Sequence, residues 1–226
     1  MIVRTAGCNA LGNPLFSYRF DPAAIIGPDA DWLSALLESA VGEGRVFGSG
    51  ETIQIGWMIN LLKEHGDHTL AVFEPDFESF PIEWVDSVTT TLQHLRLQKD
   101  VFESVGLSQQ LQFPTILQSS LVGADVDKSA QRLVLERAEE IANDSGWFIG
   151  HAESTCDYND PGNLRRCSLY EVGMLVPKSI MFLALPTGCR VFLSETSVEI
   201  SYQGTPLPIV PGSLLSLTSV DSIPRG

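Results

Sequence analysis

Asp144-Ser145-Gly146-Trp147-Phe148-Ile149-Gly150-His151-Ala152-Glu153 is the stretch on which the fold reading turns. Ser145-Gly146 closes a polar, helix-like segment, and Trp147-Phe148-Ile149 is a short aromatic and β-branched run of the kind a buried strand requires. A helix-to-strand junction is expected here. Shortly after it, Asp160-Pro161-Gly162-Asn163 joins a residue whose φ is pre-set near about −65° to one free to adopt positive φ, which predicts a turn.

Working downstream, residues 169–174 read as a short helix, Pro177 opens another where its missing N–H costs nothing, and Pro186 ends it. Residues 190–193 and 198–202 read as strands, and Gly204, Pro206 and Pro208 dissolve regular structure beyond them. Working upstream, Asp125, Asp127 and Ser129 offer caps for a helix through Ala142, whose Leu133, Ile141 and alternating charges suit a half-exposed position. Residues 113–123 fit a short helix or a strand equally.

Farther upstream, Trp84, Val88, Leu92, Leu95 and Phe102 recur near helical spacing, predicting a long helix from Ile82 to about Gly106. Pro75 and Pro81 make residues 74–81 an expected exposed loop. Ile53, Ile55 and Trp57 alternate with Gln54 and Gly56, and residues 70–73 return after a polar tip, an antiparallel hairpin with Gly66 in its loop. Asp31 is the expected N-cap of a helix carrying Trp32, Leu33, Leu36, Leu37 and Val41 on one face, stopped by Gly42 and Gly44. Among the first thirty residues only 15–20 offer a strand, at an edge. The strands lack regular crossover helices, so the class is α+β, mainly antiparallel sheets packed with a few helices. Two lobes are expected, an acidic α+β lobe over 1–125 and a second α+β domain over 126–226.

The motif around Trp147, the turn 159–163, Leu169-Tyr170-Glu171 and the later Leu185-Pro186-Thr187-Gly188-Cys189-Arg190-Val191-Phe192 together resemble the numbered "thirty-third" family of bacterial immunity proteins, once filed as a domain of unknown function. The resemblance covers the last third to half of the chain. Gly50-Glu51-Thr52-Ile53-Gln54-Ile55-Gly56-Trp57, Phe73-Glu74-Pro75-Asp76-Phe77 and Phe113-Pro114 are similar to the sequence that accompanies this domain in its longer members. Such resemblance implies a protein that binds and blocks a cognate toxin delivered between bacteria. No catalytic or ligand residue is carried over from it.

At 226 residues with 44% hydrophobic content, the chain can bury a substantial core. Its net charge of −14, from 28 acidic and 14 basic side chains, disfavours nonspecific nucleic-acid binding and favours a basic partner. The excess lies upstream: residues 1–143 carry net −11 and residues 144–226 net −3. Thr5-Ala6-Gly7 before Cys8 imitates a lipidation box, but only seven residues precede the cysteine, and they form no apolar secretion core. The longest apolar candidate for a membrane span, 180–185, is broken by Pro186. A soluble, cytoplasmic protein without a membrane partner is expected. Cys8, Cys156, Cys167 and Cys189 lack paired spacing, which favours free thiols.

Candidate chemistry is sparse. Gly48-Ser49-Gly50-Glu51 lacks the Lys-Ser or Lys-Thr of a phosphate loop and reads as a turn before a strand. His151, Glu153, Cys156, Asp157, Asp160 and Cys167 form the densest set of ligand-type residues, yet they contain no tight Cys or His pair for zinc and no calcium-loop pattern. A Cys156 or Cys167 nucleophile with His151 lacks a recognisable third group. His65 and His68 sit at a hairpin tip with nothing to complete a metal site. The expectation is therefore no catalytic residue, no metal and no cofactor. Trp57, Trp84 and Trp147 are expected to fill cores.

One region stands apart. Glu64, Asp67, Glu74, Asp76, Glu78, Glu83 and Asp86 are seven acids within 23 residues that contain no Lys or Arg, interleaved with Phe73, Phe77 and Phe80. The region reads either as a solvated face or as an apolar anchor ringed by negative charge. On the second reading the contact set is Glu64, Asp67, Glu74, Asp76, Phe77, Glu78, Phe80, Glu83 and Asp86. The expected activity is stoichiometric inhibition, with an acidic surface covering the active site of a basic, nucleic-acid- or nucleotide-directed toxin. The alternatives are a small hydrolase or transferase using the His151–Cys167 region and an effector adaptor or chaperone.

Overall fold

The computed structural model describes residues 1–107 and 111–217. The chain divides into two compact units, Met1–Arg96 and Leu97–Gly226. The sequence suggests lobes over 1–125 and 126–226; residues 119–123 form a strand in the same sheet as the strands after residue 126.

The first unit contains β1 (Ile2–Arg4), β2 (Leu15–Arg19), α1 (Gly27–Gly42), β3 (Thr52–Ile55), β4 (Met58–Glu64), β5 (Thr69–Asp76) and β6 (Glu83–Val85); α2 (Thr89–Ser104) runs across the division. The sheet order is β1-β2-β5-β4-β3, with β6 added onto β5. Only β2–β5 is parallel; the other pairs are antiparallel. β2, expected at an edge, lies between β1 and β5 because Phe16 and Tyr18 need burial. They join Leu33 and Leu37 of α1, Ile53, Ile55, Leu62, Val72 and Leu92 in one hydrophobic core. The Tyr18 hydroxyl donates to the Ala30 carbonyl at 2.6 Å and meets Ser34 Oγ at 2.7 Å, which satisfies its polar end.

Helix α1 begins ahead of the expected Asp31, because Pro28 occupies its first turn and needs no intrahelical partner there. The expected loop over 74–81 also needs correction: β5 continues through Pro75 to Asp76, and these residues pair with β6 in the registers Glu74–Val85 and Asp76–Glu83. Over this stretch β6 is the only strand partner, an edge position where proline is tolerated. The helix expected from Ile82 accordingly starts only at Thr89, and Trp84 is half-buried on β6 rather than in a core.

The second unit contains β7 (Ser119–Gly123), β8 (Leu133–Arg137), β9 (Asp144–His151), β10 (Leu164–Ser168), α3 (Leu169–Leu175), β11 (Cys189–Leu193), β12 (Val198–Tyr202), β13 (Thr205–Pro206) and α4 (Leu214–Leu217), with 3-10 turns at Pro161–Asn163 and Pro177–Phe182. The sheet order is β10-β7-β9-β8-β11-β12-β13, with β7–β9 the one parallel pair among its described residues. The molecule is thus α+β, with two mostly antiparallel sheets and a few helices. The Asp160 carboxylate accepts the Gly162 amide at 2.9 Å to cap the expected proline turn. Helix α3 opens with a reciprocal Ser168–Glu171 capping box.

The helix expected to run to Ala142 is strand β8. Leu133 and Leu135 are 1% or less exposed and Arg137 4%, Val134 is buried less deeply at 9%, and Glu136 is exposed, a strand pattern that the surrounding charges obscure. Asp127 caps a local turn by accepting the Ser129 amide at 2.8 Å. The stretch 113–123, open between helix and strand, contributes β7. Trp147 and Ile149 of β9 reach the core with Val122, Leu133, Leu135, Leu169, Val191 and Leu193. All four cysteines are free thiols. Among the described residues no helix is long and apolar enough to cross a membrane.

Candidate functional site

The acidic segment of the first unit is split by the fold into different roles. Glu64, at the end of β4, and Asp67, in the tip between β4 and β5, are exposed. Gly66, Asp67 and His68 all adopt positive φ, and the Thr69 amide donates to Gly66 O at 3.0 Å to close the tip. Glu74 is the main correction. Its residue is only 2% exposed, and its carboxylate accepts the Thr90 and Thr91 amides at 3.2 and 2.7 Å, capping the N-terminus of α2. It is a buried structural group, unable to face a partner.

Asp76 orders the following turn, accepting the Glu78 amide at 2.9 Å and the Ser79 hydroxyl at 3.0 Å. Phe77 is half-buried, its ring stacked 5.8 Å from Trp57 and edge-on to His94 at 5.5 Å. Glu78, Phe80 and Glu83 are exposed, Phe80 by 70%. Asp86 is also exposed, but Arg19 Nε of β2 lies 2.7 Å from its carboxylate. The segment's lack of basic residues was thus overcome in space by one from another strand. Arg4, Arg19, His65 and Asp86 line one small recess.

Behind Phe77 lies an unusual polar core. His94 is buried with neither ring nitrogen hydrogen-bonded, and Trp57 Nε1 and Asn60 Oδ1 are likewise unpartnered. Burial pushes the His94 imidazole down to about 4, so it is neutral at physiological pH.

In the second unit the organising motif is structural. Gly146 has φ of 75°, and a Cβ there would lie 2.3 Å from the Ala138 carbonyl oxygen. Asp144, just before it, accepts the Gly146 amide at 2.9 Å and pairs with Arg166. Burial raises the Asp144 carboxyl, but that amide, Arg166 and Ser119 outweigh it and hold it below the usual carboxylate range. Trp147 is buried beneath Arg137, whose guanidinium lies 5.6 Å from the indole centroid. Arg137 donates to the carbonyls of Gln112, Leu183 and Leu185 at 2.6, 3.2 and 2.7 Å. Burial pushes its guanidinium down to about 10. Sequence reasoning missed Arg137; the signal was its even spacing after Leu133 and Leu135.

Gly150 and Gly123, on the paired strands β9 and β7, share another task. A Cβ at Gly123 would lie 2.6 Å from Tyr158 Cε1, and one at Gly150 2.8 Å from Tyr158 Cε2, so the two glycines form a slot for that ring. Phe148 closes it edge-on at 5.3 Å. The Tyr158 hydroxyl accepts the His151 amide at 2.9 Å and donates to Asp125 at 2.7 Å. Burial raises the Asp125 carboxyl, but hydrogen bonds from Ser154 and Tyr158 outweigh it and hold Asp125 below the usual carboxylate range. This clasp was also not anticipated, because Asp125 and Tyr158 are far apart in sequence.

The densest set of ligand-type residues is engaged in turns. His151 Nδ1 accepts the Glu153 amide at 3.2 Å, Glu153 pairs with Arg132, and Asp157 accepts the Asn159 amide at 2.9 Å. Among the described residues no hydrogen bond joins His151 to Cys156 or Cys167, and no group of three or more His, Cys, Asp or Glu is placed to hold a metal. Burial raises the Cys167 thiol despite nearby Arg165, the opposite of nucleophile activation. His65 and His68 are exposed in the β4–β5 tip.

Residues 97–203 match the family model of the Imm33-like domain. The match begins where the second unit begins and covers β7 to β12, including the Trp147 strand and the Tyr158 clasp. No curated protein and no solved structure matches the chain. Residues 97–203 of this chain are similar to the Imm33-like domain, which supports an immunity-protein family assignment for that part of the protein.

Proposed function

We propose that the protein is a non-catalytic inhibitor that binds a cognate interbacterial toxin and blocks its active site. The carrying observation is the Imm33-like domain spanning residues 97–203. In support, the polar side chains around its central strand are engaged in holding the fold, and the Cys167 thiol is raised rather than activated.

The toxin-facing surface is assigned to the β5–β6 end of the first unit, where exposed Glu78, Phe80 and Glu83 combine negative charge with an aromatic anchor, while exposed Glu64 and Asp67 lie at the opposite end of β5. Asp76 and Phe77 support this surface from beneath, Asp86 joins its margin as an ion pair with Arg19, and Glu74 is excluded by burial. The net charge of −14 suits a basic toxin of the kind that acts on nucleic acids or nucleotides. Co-expression with the candidate toxin encoded beside this gene tests the reading. Rescue of growth together with an equimolar complex on size-exclusion chromatography is the expected result; rescue without a complex, or neither, overturns it.

A further inference from the structure

The second unit carries a feature that runs against the charge of the whole chain. A recess of about 450 Å³ lies between the segment leading into β8 and the junction after α3. That is within the roughly 300–1,000 Å³ usual for ligand-binding sites. Its apolar lining comes from Ala130, Leu133, Met174 and Val176, and Lys128 and Lys178 stand on its two sides.

Leu133 and Val176 are buried and Met174 is half-buried, so the floor is fixed while the flexible thioether lends it some adaptability. No acidic residue lines the recess, and among the described residues neither lysine makes an ion pair. Asp127, the neighbour of Lys128, is turned onto the amide and hydroxyl of Ser129, at 2.8 and 2.6 Å. Two ammonium groups thus flank an apolar floor without an internal counter-ion, in a chain of net −14.

We propose that this recess docks an acidic peptide segment of a protein partner, with one apolar side chain seated against Ala130 and Met174, above the buried Leu133 and Val176, and carboxylates against Lys128 and Lys178. The apolar floor calls for an anchoring side chain, and the flanking charges call for acids close to it. A nucleic acid is disfavoured, because two lysines neutralise too few phosphates to hold a polyanionic backbone. The assignment concerns the other unit and an opposite charge from the toxin-binding surface proposed above and does not depend on it.

The test uses the full chain, labelled with nitrogen-15, and a ten-residue synthetic probe peptide alternating Glu and Leu. A peptide with Lys replacing Glu is the control. Amide shifts should centre on residues 128–133 and 174–178 with Kd below about 1 mM, weaken in high salt, and be absent with the basic peptide. Lys128→Glu and Lys178→Glu should each weaken binding about tenfold or more. Lys128→Gln and Lys178→Gln, milder changes, serve if a charge reversal lowers the melting temperature. Shifts centred elsewhere, an equal response to the basic peptide, unchanged affinity in the lysine variants, or no saturable shift would each overturn the proposal. So would a stronger response of the same amides to phosphatidylglycerol vesicles, which would assign the recess to a lipid surface.

Discussion

Arg137 and Trp147 converge on one backbone carbonyl, that of Leu183, the guanidinium at 3.2 Å and the indole N–H at 3.1 Å, while the guanidinium also covers the indole face. The pair fastens two neighbouring strands of the Imm33-like sheet to the 3-10 turn at Pro177–Phe182 and the residue that follows it.

Trp147→Ala should therefore destabilise the protein by about 3 to 5 kcal/mol, through the cavity left by a buried indole. Arg137→Ala should cost about 3 kcal/mol or more, because it strands buried carbonyls that have lost a charged donor. Urea denaturation of both variants and the double variant should reveal coupling of about 0.5 to 3 kcal/mol; additive losses would show that the two act separately.

Glu74 and Glu78 should separate cleanly although only four positions apart. Glu74→Ala removes a buried cap from two α2 amides and should cost about 1 to 3 kcal/mol. Glu78→Gln, at an exposed position, should change stability by under about 0.5 kcal/mol. Thermal melts of the two variants check this, and equal effects would contradict the assigned roles.

The glycines of the central strand should resist substitution. Gly146→Ala combines strained positive φ with a backbone clash, and Gly150→Ala drives a methyl against Phe148 and Tyr158 at 2.7 and 2.8 Å. Losses of about 2 to 4 kcal/mol for the first and about 1 to 3 kcal/mol for the second are expected in chemical melts.

His94 gives the protein a pH dependence of definite sign. Its folded value of about 4 lies below the unfolded value near about 6.5, so between these the unfolded chain binds a proton the folded one excludes. Stability should fall by about 2 to 3 kcal/mol from pH 7.5 to pH 4.5 on this account. Asp125 and Asp144, held below the usual carboxylate range, lose their contribution only at still lower pH. His94→Phe should flatten the urea midpoint across that window; an unchanged slope would assign the dependence to other groups.

What was legible in the sequence was local. The Trp147 strand, the proline turn, α3 and the two later strands follow from short-range pattern and turn chemistry, and all are present. What was not legible depends on distant partners. Nothing in Phe73-Glu74-Pro75 announces that the carboxylate meets the amides of residues 90 and 91, nor that Arg19 would lie against Asp86. Residues 133–137 were hidden by charges that imitate a surface helix, because the strand's buried side is completed by an arginine whose acceptors lie at residues 112, 183 and 185.

The most direct test of the central claim is surface-binding kinetics with the cognate toxin at low and high salt. The double variant Glu78→Gln/Glu83→Gln should slow association several-fold at low salt, and the difference should shrink at high salt. Phe80→Ala should instead speed dissociation about 30-fold, as loss of an aromatic anchor worth about 2 kcal/mol requires. Unaltered association and dissociation rates in all of these variants, with the toxin still neutralised, would contradict the assignment of the interface to the acidic face of the first unit.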